Sequence, residues 1–216
     1  MPATPLFQVS PTVQEAPLTP TPTRLPLPSA PPTLTNTATP LPTPAPVRFA
    51  VIGDYGQGTQ PEADVAALVK SWKPDFIITV GDNNYPSGAA ETIDQNIGQF
   101  YHEYLYLYAG AYGPGADRLL FFPTLGNHDW DTQRGQPYLD YFVLPNNERY
   151  YDFTWGPLHF FALSSDSREP DGVNRASVQA QWLQAGLGSS VSPWKIVYFH
   201  HAPYSSNAEG GVNWMR

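Results

Sequence analysis

From Val47 onward, short apolar runs alternate with segments of helical period. Residues 47–52 (Val-Arg-Phe-Ala-Val-Ile) form an apolar run closed by Gly53, which predicts a buried strand. Pro61 then falls in a first helical turn, with Val65, Leu68, Val69 and Trp72 at i, i+3, i+4 and i+7, so these four are predicted to be the packed face of a helix. Residues 76–80 (Phe-Ile-Ile-Thr-Val) are a second buried strand, ending at Gly81. Strand, helix and strand in so short a span make a βαβ unit with a parallel pair and a right-handed crossover. A longer amphipathic helix comes next, carrying Ile93, Ile97, Phe100, Tyr101, Tyr104 and Tyr108 on one face, with Gly110 near its end. Residues 119–125 give a third strand. Spans 150–155 and 158–163 read as an antiparallel pair joined at Gly156-Pro157. A helix carrying Val178, Trp182 and Leu183 leads to a last strand at 195–199. The fold class is α/β with a mixed sheet, and no internal repeat is visible.

The first 46 residues are different. They hold more than half of the 25 prolines and only two charges, Glu15 and Arg24. Proline fixes φ and removes amide donors, so neither helix nor sheet propagates there. The chain therefore divides into a Thr/Pro-rich, extended or disordered linker at 1–46 and a folded domain at 47–216. Thr-Pro tracts of this kind are common as stalks outside the cell, so the expected location is extracellular or surface-tethered. No signal peptide is visible at Met1-Pro2-Ala3-Thr4, which suggests a true start upstream. Zero cysteines exclude a disulfide framework, thiol catalysis and thiolate metal sites. No apolar run approaches the roughly 18 residues of a membrane span. With 19 acidic against 11 basic residues, the net charge of −8 argues against a nucleic-acid binder.

The informative pattern lies at the ends of the strands: Gly53-Asp54-Tyr55-Gly56, Gly81-Asp82-Asn83-Asn84-Tyr85, Gly126-Asn127-His128-Asp129 and His200-His201. Ligands of α/β sheets bind just outside the carboxyl ends of the strands. Four strand ends there offer only Asp, Asn, His and Tyr, a set of oxygen and imidazole donors suited to Fe, Mn, Zn or Mg. Each piece has a plainer reading. Gly-Asp after a strand is often a turn or an N-cap. The Gly53, Gly56, Gly58 spacing does not match a dinucleotide loop. His102 and His159 lie inside periodic segments and read as structural. Joint occurrence at four strand ends, in one order, is what points to a site.

These residues resemble the calcineurin-like metallophosphoesterases and, within them, the purple acid phosphatases. Of that family's ordered motifs, Asp-x-Gly, Gly-Asp-x-x-Tyr, Gly-Asn-His-(Asp/Glu) and Val-x-x-His appear as Asp54-Tyr55-Gly56, Gly81 to Tyr85, Gly126 to Asp129 and Val197 to His200. The tyrosine three residues after Asp82 is the specific element. The resemblance implies an α/β/β/α sandwich and two metal ions, Fe(III) with Fe(II), Zn or Mn. Asp54, Asp82 and Tyr85 would hold the first ion. Asp82 would bridge to the second, which Asn127 and His200 would also bind. His128 would be the proton donor at the leaving oxygen, with Asp129 orienting it. His200 is preferred to His201 because it satisfies the Val-x-x-His spacing.

The chemistry of the residues agrees with that division. A bridging carboxylate has two oxygens to share between cations, and paired cations supply a hydroxide nucleophile at mild pH while neutralising phosphoryl oxygens. A phenolate well below its free pKa of about 10 needs a strong Lewis acid, which favours Fe(III) at Tyr85. The expected activity is hydrolysis of small phosphate monoesters by a metal-bound hydroxide, with no nucleic-acid or protein partner. The alternatives are a phosphodiesterase of the same superfamily and a non-catalytic surface module. The family's Gly-His-x-His motif, which gives one further histidine to each metal, is absent before Arg216, so the domain is read as C-terminally incomplete.

Overall fold

The computed structural model describes residues 46–206 and 211–213. Apart from Pro46, the Thr/Pro-rich stretch lies outside the described residues. Strands β1 (Phe49–Ile52), β2 (Phe76–Thr79) and β3 (Phe121–Pro123) form one all-parallel sheet in that order. Strands β4 (Tyr151–Trp155), β5 (Leu158–Ala162) and β6 (Trp194–Tyr198) form a second, with β4 antiparallel and β6 parallel to β5. The six strand runs of the sequence are all present, split between two sheets rather than gathered in one.

Alternation of side chains along a strand explains the layering. Phe49, Phe76 and Phe122 of the first sheet meet Phe153 and Phe160 of the second. Phe122 stacks on Phe153 at 3.6 Å between ring centroids, and the Phe76 and Phe160 rings meet edge-on at 5.4 Å. Such pairs add about 0.5–1.5 kcal/mol each beyond the apolar area they bury. Two phenols tie the sheets at β3, Tyr151 donating to the Pro123 carbonyl at 2.7 Å and Tyr198 to that of Phe122 at 3.2 Å, while Tyr138, from a helix that follows β3, donates to the Pro123 carbonyl at 2.8 Å. On the outer face of the second sheet, Trp182 of helix α6 (Val178–Ser189) packs against Phe161 and Tyr150. Helix α1 (Gln60–Ser71) turns Ala66 and Val69 into the core of the first. The result is helix, sheet, sheet, helix.

Two expected helices differ in detail. In α1 only Val69 of the predicted apolar face is buried; Val65, Leu68 and Trp72 are exposed. The packed side is Glu62, Ala66 and Val69, because the Glu62 carboxylate accepts the amides of Gln57 and Gly58 at 2.9 and 2.7 Å and fixes the helix's rotation. The expected long helix is interrupted: α2 (Ala90–Ile93) runs into a π turn (Asp94–Gly98), then α3 (Gln99–Tyr101) and a 3-10 turn ending at Tyr104. Ile93, Ile97, Phe100 and Tyr101 are buried as the periodicity requires, and Tyr108 lies beyond the helical part. Short helices α4 (Asn127–Asp131) and α5 (Gln136–Tyr141) come after β3.

Candidate metal centre

The carboxyl ends of β1, β2, β3 and β6 open onto one polar cleft of about 580 Å³, lined by Asp54, Asp82, Tyr85, Asn127, His128, His200 and His201, with Ala202, Ser205 and Val212 on the far wall. Six of the seven positions singled out in the sequence face it. Asp129 does not.

Local backbone explains why the side chains converge. Asp54 and Asp82 both adopt left-handed φ, 52° and 51°. This conformation is one that aspartate tolerates better than most residues and that clusters at functional sites. Pairing continues past the strands, with the Asp54 amide on the Gly81 carbonyl at 3.1 Å and the Tyr55 amide on that of Asp82 at 3.3 Å. Glycine is required where loops touch. A Cβ at Gly56 would run into the Asn83 carbonyl, and one at Gly126 into both the amide nitrogen and Oδ1 of Asp82. The π turn supports both loops: Asn96 donates to the carbonyls of Gly56 and Tyr85 and to Asn84 Oδ1 at 3.0, 2.9 and 2.8 Å. Such turns recur beside functional sites.

Asp82 is the hub, 3 % exposed. Its Oδ1 accepts the His128 amide at 2.9 Å, leaving Oδ2 to face the cleft. From sequence, both carboxylate oxygens were open to share; in the fold one is held by the backbone, and Oδ2 alone is turned to other donors. Tyr85 donates its hydroxyl to Asp82 Oδ2 at 3.0 Å and lies 3.3 Å from Asp54 Oδ1. Burial, then the charge and hydrogen bond of Asp82 and those of Asp54, hold the phenol well above its ordinary pKa. His200 donates Nδ1–H to the Val80 carbonyl at 2.8 Å, which turns its Nε2 into the cleft, 3.0 Å from Asn127 Oδ1 and 3.5 Å from Asp82 Oδ2. A backbone acceptor on the remote nitrogen is the usual way a metal-binding imidazole is oriented.

This donor set fits cations. Among the described residues, Asp54, Asp82 and His200 can each offer one ligand atom with all three within 4.8 Å of one another. Two carboxylates converge with no lysine or arginine among the described residues that line the cleft. A positive ion placed among them relieves that repulsion.

His128 stands beside this group with Nε2 3.9 Å from Asp82 Oδ2 and its ring 4.5 Å from that of Tyr85. Its Nδ1 donates to the Pro86 carbonyl at 2.6 Å. That corrects the role expected for Asp129. The Asp129 carboxylate is buried and accepts the Gly126 amide at 2.8 Å, the Asn83 amide at 3.0 Å and the Asn83 side chain at 2.9 Å. It ties the end of β2 to the start of α4 and leaves the ring to Pro86. Burial raises its pKa to about 6 against the pull of those amides. Pro86, Val80 and Asn83 act through backbone or buried contacts, which side-chain chemistry in the sequence does not reveal. His201 also reaches the cleft edge, its Nδ1 2.9 Å from Ser165 Oγ. His102 and His159 bind Pro114 and the Ser190–Asp152 pair elsewhere, in structural contacts.

Comparison with known proteins decides the family. The profile of the calcineurin-like phosphoesterases matches residues 47–215. The chain belongs to the calcineurin-like phosphoesterase family. Purple acid phosphatase 22 of Arabidopsis thaliana is 26 % identical over 168 residues, which cover 75 % of this chain and 37 % of that protein. The structure of purple acid phosphatase PPD1 from yellow lupin (Lupinus luteus) seeds superimposes with a TM-score of 0.57 at 18 % identity, covering 76 % of this chain and 32 % of that one. The chain thus spans about a third of the length of these relatives, and with the lupin enzyme it shares the fold. The chain resembles purple acid phosphatases in sequence and in fold. No helix among its described residues is long and apolar enough to cross a membrane.

Proposed function

We propose that this domain hydrolyses phosphate monoesters with two metal ions held in the cleft. The observation that carries this reading is the convergence of Asp54, Asp82, Tyr85, Asn127 and His200 on one point with His128 at its edge. Asp54, Asp82 and Tyr85 would hold one ion; Asp82, Asn127 and His200 the other. Fe(III) is the assignment for the first, because a phenol ionises well below its free pKa of about 10 only against a strong Lewis acid. Fe(II), Zn or Mn suits the second, where a carboxylate, an amide oxygen and an imidazole meet. When bound, such a pair supplies Lewis acidity that neutralises phosphoryl oxygens and makes water nucleophilic at mild pH.

The chain's own residues do the rest. Asp82, buried and pinned at Oδ1 by the His128 amide, would be the carboxylate shared by both ions. His200 is oriented by the Val80 carbonyl so that Nε2 would be the ligand atom. His128 keeps a proton on Nδ1 for Pro86, so the proton it can give a leaving alkoxide is the one on Nε2, facing the cleft. This is general-acid geometry, worth about 10²–10⁴ in rate.

The test is turnover of p-nitrophenyl phosphate by the iron- and zinc-loaded chain, with bis(p-nitrophenyl) phosphate alongside. Monoester turnover that Asp82→Asn abolishes supports the reading. Preference for the diester overturns it in favour of a phosphodiesterase. Metal-independent binding of either ester without turnover overturns it in favour of a binding module.

A further inference from the structure

The site draws its donors from both sheets, and one side chain that braces the second sheet's loops against the start of α4 is Arg168, beyond the end of β5. Its Nε and one terminal nitrogen grip both oxygens of Asp166 at 2.7 and 2.8 Å. The Asp166 carboxylate is itself buried and also accepts the Arg168 amide at 2.9 Å. Held flat by that bidentate pair, the guanidinium reaches across to α4. It donates to the Asn127 carbonyl at 2.8 Å and to Asp131 Oδ1 at 2.7 Å, at the two ends of the helix. A planar fork with several fixed donors is suited to this; an ammonium is not.

Resting on the phosphatase proposal, we infer that Arg168 is a positioning residue for the second metal. It fixes the backbone of Asn127 so that the Asn127 side chain, brought to 3.0 Å from His200 Nε2, completes that ion's donor set. The Asp54–Asp82–Tyr85 group shares one link with this peptide, the His128 amide on Asp82 Oδ1, and has further partners that do not involve Arg168: Tyr85 bonds Asp82 and Asp54, and the Asp54 and Asp82 backbones are tied to each other's loops. Loss of Arg168 is therefore expected to weaken the second ion more than the first. Partners that orient a ligand without touching the metal typically govern about 10–100-fold in affinity.

The experiment loads the full chain with Fe(III), records the phenolate-to-iron absorption band, and titrates with Zn(II) by calorimetry. For Arg168→Gln the expected result is about a 10–100-fold weaker zinc affinity with the band unchanged in position and intensity. Asp131→Asn, which leaves the arm to Asn127 in place, should keep zinc affinity within about threefold. Should Arg168→Gln fail to fold, Arg168→Lys carries the test, with an intermediate loss expected. Zinc affinity within about twofold of the parent in both Arg168 variants overturns the inference, as does loss of the band together with zinc. A parent that shows the iron band but binds no zinc overturns this inference and the two-ion part of the phosphatase proposal, while leaving the Asp54–Asp82–Tyr85 iron site standing. A parent that binds neither overturns the phosphatase proposal and this inference with it.

Discussion

His128 takes its direction from one backbone carbonyl. With Nδ1 committed to Pro86, the acid role proposed for it falls to Nε2, and the size of that role depends on how badly the departing oxygen needs a proton. His128→Ala should lower kcat on an alkyl phosphate by about 10²–10⁴, but far less on p-nitrophenyl phosphate, whose leaving group needs no acid. Equal losses on both substrates would remove His128 from the acid role. Glu62 makes a second residue-scale case, away from the cleft. Burial raises its pKa to about 7 from an ordinary 4.5, against the hydrogen bonds from Gly58 and Gln57. The folded state then keeps a proton that the unfolded chain has released. Stability from this group is fully present below about pH 4.5 and is lost as pH rises to about 7, costing on the order of 3 kcal/mol. Urea unfolding at about pH 5 and about pH 8 should show that fall in the parent and a much flatter profile in Glu62→Gln, which keeps an acceptor for both amides.

At the scale of elements, the sequence was most legible where one periodicity governs. All six runs hold a strand, although the 119–125 run is strand only at Phe121–Pro123; a short run of buried apolar residues, closed by glycine in four of the six, admits few other structures. Rotation of α1 was not legible: Val65, Leu68 and Trp72 have the right spacing, yet Glu62 turns the helix so that they face outward. Nor was the π turn, where Asn96 leaves the helical ladder's register to serve the two loops beneath the cleft. The polar residues after β1, β2 and β3 were legible as a group, since strand ends in parallel sheets share one edge. The partners that aim them were not, because carbonyl oxygens of Val80 and Pro86 carry no signature in sequence. Two glycines separate a contact requirement from a mere absence of side chain. Gly126→Ala drives a Cβ against the backbone of Asp82 and should unseat the metal centre, whereas Gly188 in α6 has nothing within 4 Å of its Cβ position. Gly188→Ala should raise stability by about 0.5–1 kcal/mol with metal binding unchanged. Thermal unfolding and zinc calorimetry on the two variants check both halves.

For the whole molecule, the aromatic layer between the sheets fixes the distance across which His200 meets Asn127. Phe160 is fully buried and touches Phe49, Phe76 and Phe153. Phe160→Ala should cost about 3–5 kcal/mol by chemical denaturation, and its damage should fall on the second ion before the first. The proposed chemistry depends throughout on Asp82 standing between two cations held by Asp54, Tyr85, Asn127 and His200. The most direct test is an anomalous-difference map from crystals of the chain soaked in iron and zinc. Two peaks are expected on either side of Asp82 Oδ2, one within ligand distance of Tyr85 and Asp54, the other within ligand distance of Asn127 and His200. A single peak, or none in the cleft at saturating metal, would contradict the two-ion centre.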